Sequence, residues 1–377
     1  MKRLVYLSVI VAVLFSFVAA CGPAPTPEVV EKVVKETVVV EKEVQVEVTK
    51  EVVVEKEVEV TKEVVVEKEA EEVPITESYK FAWIMPDMMN PFWIYMRQGA
   101  EKAVAEYREQ GIAISIYAAA PIHSFNAQEQ VDIFEQVIQM KVDGIAMNPC
   151  DRSSMVKPIE KAWEEGIPTV TVSTDVPDSL RITHSGVDDT LWAYEVAKRL
   201  FEEMGGKGKV VIMEGSPGHY IGELRNKGFH DAAEEYPDIE IMDVQPAYWN
   251  REEGMAMMEN FLQKYPSGQL DAVICANDEE AIGAMEAIDA AGRADELLVI
   301  GIDGNEEASL AIQEGRMLAT SYDCPWCKGY NAVKVLVDWQ HGVKPEEKTL
   351  ADAAVIDASN VEEHLKRFRY YDQFYKP

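Results

Sequence analysis

Positive charge is scarce in this 377-residue chain: 36 Lys and Arg stand against 67 Asp and Glu, a formal net charge of −31. A surface that negative repels phosphate backbones and anionic headgroups, which excludes nucleic acid as a partner. Cysteine is scarce too. Five cysteines in a chain of this length cannot form the dense disulfide framework of a small secreted scaffold. The six histidines (His123, His184, His219, His230, His341, His364) are scattered, with no HExxH-like pair to hold a catalytic metal. Long apolar runs are absent but for residues 4–18, shorter than the roughly 20 residues a membrane span needs. Phosphate and nucleophile loops are absent as well. Gly205-Gly206-Lys207-Gly208 lacks the phosphate-loop spacing, and Gly215-Ser216-Pro217-Gly218 lacks the residue order of a nucleophile elbow.

The apolar residues 4–18, preceded by Lys2 and Arg3, read as a signal peptide over residues 1–20. The following Val18-Ala19-Ala20-Cys21-Gly22 resembles the lipobox of bacterial lipoproteins. That resemblance implies a lipid on Cys21, which would tether the mature protein to the extracytoplasmic face of the cell membrane, in a periplasm or on a bacterial surface. An ordinary signal peptide with a chance cysteine is the rival. Residues 28–72 contain 18 Val, 15 Glu and 7 Lys and no Gly, Pro, Leu or aromatic residue. The block from Thr49 to Val60 nearly repeats from Thr61, a period of twelve that matches no heptad. Valine favours extended structure while Glu and Lys favour helix, so the local signals conflict. Residues 21–77 read as a stalk, with a self-associating coiled coil as the alternative.

Beyond residue 78 the pattern becomes an α/β alternation. Strands are expected at 81–85, 112–117, 144–147, 169–172, 209–213, 239–244, 272–275 and 298–302. Helices are expected at 92–110, 126–140, 153–165, 220–235, 251–265 and 278–291. Short apolar strands between helices imply parallel sheets covered on both faces, and two sets of them imply two doubly wound domains. A hydrophobic content of 47% is enough for two such cores.

In doubly wound sheets ligands bind beyond the carboxyl ends of the strands. Those positions carry Asp87, Asn90, Phe92 and Trp93; then Ser173 and Asp175; then Trp249, Asn277, Asp303 and Asp323, with Arg225 on the helix after residues 215–217. Taken singly, each has a plain structural explanation: Asn90 and Asn277 as helix caps, Asp303-Gly304 as a turn, Arg225 as a surface ion pair. Together they form a set of carboxylates, amides, one guanidinium and aromatics at one end of the sheets. Vicinal hydroxyls need paired donors and acceptors, and the apolar face of a sugar ring needs a flat wall. The expected ligand is a small neutral sugar or polyol. Of the neighbours Phe92 and Trp93, one is expected to face the cleft, since adjacent helical residues do not share a face.

The chain from about Tyr79 onward resembles type I periplasmic sugar-binding proteins, close to the ribose-binding branch. The likeness rests on Asn90-Pro91-Phe92-Trp93, residues 144–149, Arg225 to Phe229, Gln245-Pro246-Ala247, Ala276-Asn277-Asp278-Glu279 and Gly301-Ile302-Asp303-Gly304. It implies a Venus-flytrap fold of two lobes joined by a three-strand hinge, with 78–186 plus about 324–350 in the N-terminal lobe and 187–323 plus about 351–377 in the C-terminal lobe. It implies ligand contacts from Asn90, Phe92 and Trp93 on the first lobe and Arg225, Trp249, Asn277 and Asp303 on the second. Two positions depart from the ribose-binding pattern. Ser173-Thr174 stands where that pattern has an Asp-Arg pair, leaving Asp175 one step on as its replacement, and Asp323 stands where it has glutamine. Asp87 adds a further acceptor.

Cys324-Pro325-Trp326-Cys327 follows Asp323. It reads as a local disulfide or two free thiols; a redox pair is the rival, and a metal site lacks further ligands at a suitable spacing. The expected role is a binding protein, not an enzyme, without cofactor or metal, delivering its ligand to the membrane subunits of an ABC importer. The alternatives are a sugar-sensing receptor subunit for chemotaxis or a histidine kinase, and a thiol oxidoreductase using Cys324 and Cys327.

Overall fold

The computed structural model describes residues 73–371. The signal peptide, Cys21, the stalk up to residue 72 and residues 372–377 lie outside the described residues.

The chain alternates strand and helix almost without exception. It runs through β1 (Glu77–Ile84), α1 (Pro91–Glu109), β2 (Ile112–Ala119), α2 (Ala127–Gln139), β3 (Gly144–Met147), α3 (Arg152–Glu164), β4 (Thr169–Val172) and β5 (Thr183–Gly186). Next come α4 (Asp189–Glu203), β6 (Lys207–Glu214), α5 (Tyr220–Glu234), β7 (Asp238–Pro246), α6 (Arg251–Lys264), β8 (Ala272–Cys275), α7 (Asp278–Ala290), β9 (Leu298–Asp303), α8 (Glu306–Gln313) and β10 (Ala319–Tyr322). The chain ends with α9 (Pro325–Gln340), β11 (Lys348–Leu350), β12 (Ala354–Asp357) and α10 (Val361–Tyr371).

Two six-stranded sheets result, in orders β11-β5-β4-β3-β1-β2 and β12-β10-β9-β8-β6-β7. All pairings are parallel except β10 with β12. The chain passes between the sheets three times: after β5, after β10 and after β11. Apolar clusters cover both faces of the first sheet and both faces of the second, the doubly wound arrangement expected.

Local chemistry sets where the helices start. Asn90, Asn126, Asp151, Asp188, Asn250 and Asn277 each accept a backbone N–H of the first helical turn, so each helix begins just past a strand end. Helix α9 returns to the first lobe and packs on α1 at backbone contact. A Cβ on Gly99 would sit 1.9 Å from the carbonyl oxygen of Trp326, and one on Gly329 would sit 1.8 Å from that of Met96. Only glycine permits this crossing.

The eight expected strands and six expected helices are all present, with ends shifted by at most four residues. Strands β5, β10, β11 and β12 and helices α4, α8, α9 and α10 went unannounced. The sequences of β5 (Thr183-His184-Ser185-Gly186) and β10 (Ala319-Thr320-Ser321-Tyr322) contain no apolar run, yet every residue of both is buried.

Candidate functional site

A cavity lies between the two lobes at the carboxyl ends of the strands. The first lobe contributes Asn90, Phe92, Trp93, Phe125, Asn148 and Ser173. Asn90 caps α1 by accepting the Phe92 N–H at 2.9 Å. Phe92 and Trp93 then stand edge to face, centroids 4.8 Å apart, and both line the cavity. The expectation that only one would do so is corrected: the cavity lies off the end of α1, so neighbouring first-turn residues both reach it.

The second lobe contributes a charged wall. Arg225, on α5 and 4% exposed, donates to Asp189 Oδ1 at 3.2 Å, Asp303 Oδ1 at 3.2 Å and the carbonyl of Ala276 at 2.7 Å. Its third nitrogen, Nη2, lies 3.7 Å from Asp323. Burial works to lower the Arg225 pKa, but Asp303, Asp189 and Asp323 outweigh it and hold the guanidinium charged. Burial raises Asp189 and Asp303 above the ordinary carboxylate range, with Arg225 opposing. One guanidinium between two lining carboxylates, Asp189 and Asp303, with Asp323 behind it, makes a wall that accepts hydrogen bonds from hydroxyls and disfavours anions.

Trp249 packs beside this group, its ring 5.6 Å from the Arg225 guanidinium. Its loop has two consecutive left-handed residues, Tyr248 (φ 57°) and Trp249 (φ 62°). The buried Glu280 carboxylate holds the loop by accepting the N–H groups of Trp249 at 2.8 Å and Ala276 at 3.0 Å. Burial raises Glu280 to about 8 despite those two donors. Asn277 adds a bond to the Trp249 carbonyl at 3.3 Å. Gly215 makes room for the indole, since a Cβ there would lie 1.9 Å from the ring.

His219 and Ile221 complete this wall. Both ring nitrogens of His219 are buried and lack a hydrogen-bond partner among the described residues. Burial, with Arg225 nearby, lowers its pKa to about 4, so the imidazole is neutral. Across the cleft, Phe125 meets His219 edge-on at 5.3 Å, and the Arg152 guanidinium lies 3.8 Å from the Tyr220 ring centre. These contacts join the first lobe to the second around the mouth.

Eight of the eleven residues expected from sequence line the cavity: Asn90, Phe92, Trp93, Ser173, Arg225, Trp249, Asn277 and Asp303. Three do not. The Asp87 carboxylate is taken up by the Ser124 hydroxyl at 2.7 Å and by the N–H groups of Met89 and Asn90. Asp175 is gripped by Arg181 through Nε and, at 3.0 Å, Nη2; burial works upward on its pKa, but the arginine holds it below the ordinary value. Asp323 sits behind Arg225, bonded to Lys328 at 2.6 Å.

Five lining residues were missed: Phe125, Asn148, Asp189, His219 and Ile221. Asp189 follows β5, so its signal was hidden with that strand. Asn148 follows β3 directly and was readable by the strand-end rule. His219 was dismissed for want of a metal-binding cluster, though a histidine can face a ligand alone.

Cys324 and Cys327 form a disulfide at the start of α9. Cys150 and Cys275 are buried and unpaired, and burial pushes Cys150 up to about 12, away from thiolate chemistry. Among the described residues no group of His, Cys, Asp and Glu is placed to hold a metal ion.

Comparison with known proteins places this geometry. The family model described as "Periplasmic binding protein domain" matches residues 81–342. The D-allose-binding periplasmic protein of Escherichia coli K12 is 30% identical over 267 residues, 69% of this chain and 84% of that protein. The ribose import binding protein RbsB of Bacillus subtilis is 32% identical over 262 residues, 70% of this chain and 81% of that one. Among solved structures, an ABC transporter periplasmic solute binding protein from Actinobacillus succinogenes with bound D-allose superposes with a TM-score of 0.70 at 30% identity, covering 76% of this chain and 99% of that one.

Proposed function

This chain belongs to the periplasmic binding protein family, and from that premise we propose that it captures a neutral monosaccharide or sugar alcohol outside the cytoplasm for an ABC importer. The observation that carries the reading is the Arg225 cluster, with Trp249 beside it, facing Phe92 and Trp93 across one cavity. Carboxylates accept the protons of ligand hydroxyls, the guanidinium donates to their lone pairs, and the aromatic faces cover the C–H faces of a ring. Two lining carboxylates, Asp189 and Asp303, against one guanidinium disfavour a sugar acid or sugar phosphate.

Binding stabilises the closed arrangement by as much as the ligand's affinity differs between closed and open lobes. A ligand held by one wall gains the other only on closure, and the importer reads the closed lobes. We place the lipid anchor on Cys21, with the Val/Glu/Lys stalk holding the lobes off the membrane; a Cys21→Ser chain that still partitions with membranes would argue against it.

The test of ligand class is a thermal-shift screen against pentoses, hexoses, inositols and C4–C6 alditols. A ligand at a hundred times its dissociation constant adds about 2.7 kcal/mol. Expected is a raised melting temperature with at least one neutral sugar or alditol and none with gluconate or ribose 5-phosphate. A shift with amino acids or sugar acids alone overturns the reading.

A further inference from the structure

Beneath the cavity lies a buried lysine that the carboxylate–guanidinium wall leaves unused. Lys328, on α9, has a side chain only 1% exposed. Its ammonium donates to Asp323 Oδ2 at 2.6 Å and to the Ser173 hydroxyl at 3.1 Å, and lies 5.2 Å from the Phe92 ring centre. The chain Ser173–Lys328–Asp323–Arg225 thus runs from one wall of the cavity to the other.

An ammonium carries three donors and no acceptor. The Ser173 oxygen must therefore accept from Lys328, and the serine's own proton is directed elsewhere. Ser173 lines the cavity. It also has a left-handed backbone, φ 59°, which is costly for serine and persists where the surroundings over-determine it. Asp323 supplies the countercharge, and its second oxygen has no partner among the described residues.

We propose that Lys328 is a positioning residue that fixes Ser173 as a hydrogen-bond donor into the cavity, so that the ligand atom opposite is an acceptor. A ring oxygen, a carbonyl oxygen or a hydroxyl lone pair meets that requirement. The opposite wall, with Asp189 and Asp303, takes hydroxyl protons, so the site orients its ligand by asking for an acceptor at one end and donors at the other. This rests on the sugar-binding reading above.

The test is calorimetric titration of the whole chain with D-allose, D-ribose and myo-inositol. Truncating Lys328 alone would strand the buried Asp323 carboxylate, so the comparison is made in an Asp323→Asn background, which leaves the lysine an amide oxygen. There, Lys328→Met and Ser173→Ala each weaken the tightest-binding probe by about tenfold, and combining them weakens it no further. Lys328→Gln, which keeps a donor, retains binding. Ser173→Asp, in the otherwise unaltered chain, keeps a partner for the lysine but no donor, and it folds and loses affinity even if the methionine variant does not fold.

Losses that multiply on combination, a Lys328→Met chain that binds as its background does, or a Ser173→Asp chain that binds like the unaltered protein overturn this inference alone. No binding of these three probes by the unaltered chain, together with no thermal shift from any sugar, inositol or alditol of the screen, overturns the sugar reading, and this inference with it.

Discussion

The two walls of the cavity come from sheets of identical strand order, yet their chemistry is opposite. The first lobe lines the cavity with three aromatic rings, two amides and one hydroxyl, and no ionised side chain. The second lines it with Arg225, Asp189 and Asp303, joined by the neutral His219. Shared topology sets where a ligand sits, beyond the strand ends, and leaves open what is met there. A flat uncharged wall accepts any small molecule with an apolar face. On the proposed function, the charged wall would be the selective one, because its groups are already desolvated and bonded to one another: a ligand that satisfies their remaining lone pairs would be favoured and one that brings a second anion rejected.

The largest effect that would break this contrast is expected from Arg225→Met. It leaves Asp189, Asp303 and Asp323 buried without their guanidinium, and removing one partner from a buried ion group costs about 3–5 kcal/mol. Urea unfolding should show that loss, and the sugar-induced thermal shift should vanish. A variant as stable as the parent would mean the second wall is not held by its charges.

Glu280→Gln should have an intermediate effect that depends on pH. The folded-state pKa of Glu280, about 8, is raised above its ordinary 4.5. The folded state therefore holds the proton more tightly than the unfolded one. The stability this group contributes is fully present below 4.5 and is lost as pH rises through about 8. Glutamine does not titrate, so the variant should gain on the parent as pH rises. Urea unfolding at about pH 5 and about pH 8.5 checks it, and a gap that stays constant would mean Glu280 is ionised throughout.

The smallest effect belongs to the uncharged wall. Phe92→Leu keeps apolar bulk but loses the ring face and its contact with Trp93, and ring contacts of this kind are worth about 0.5–1.5 kcal/mol. Sugar affinity measured by calorimetry should fall by about three- to tenfold, by the same factor at low and high salt. A salt-dependent loss would mean that charge reaches the first wall too, for instance from Lys328, whose ammonium lies 5.2 Å from that ring.

Much of this could be read before any coordinates. Gly144–Met147, Ala272–Cys275 and their like are apolar runs because helices cover both sheet faces, so composition and length announce them. Asn90-Pro91 announces the start of α1 because an N-cap and a proline at the first helical position suit only that place. Strands β5 and β10 escaped because Thr, His and Ser were buried there by their neighbours, not by their own hydrophobicity. With β5 went Asp189, a carboxylate of the charged wall.

From sequence alone follow the alternation of elements, the caps that start the helices, and the kinds of side chain that stand at the strand ends, since these depend on neighbours within a few residues. Which carboxylates face the cavity did not follow. Asp175 and Asp303 both stand at or just past strand ends, but Arg181 takes the first out of the site while Arg225 brings the second into it. A buried carboxylate must find its countercharge, and that partner is chosen by distance through space. The bond from Lys328 to Ser173 spans 155 residues of chain, a separation that no local pattern encodes.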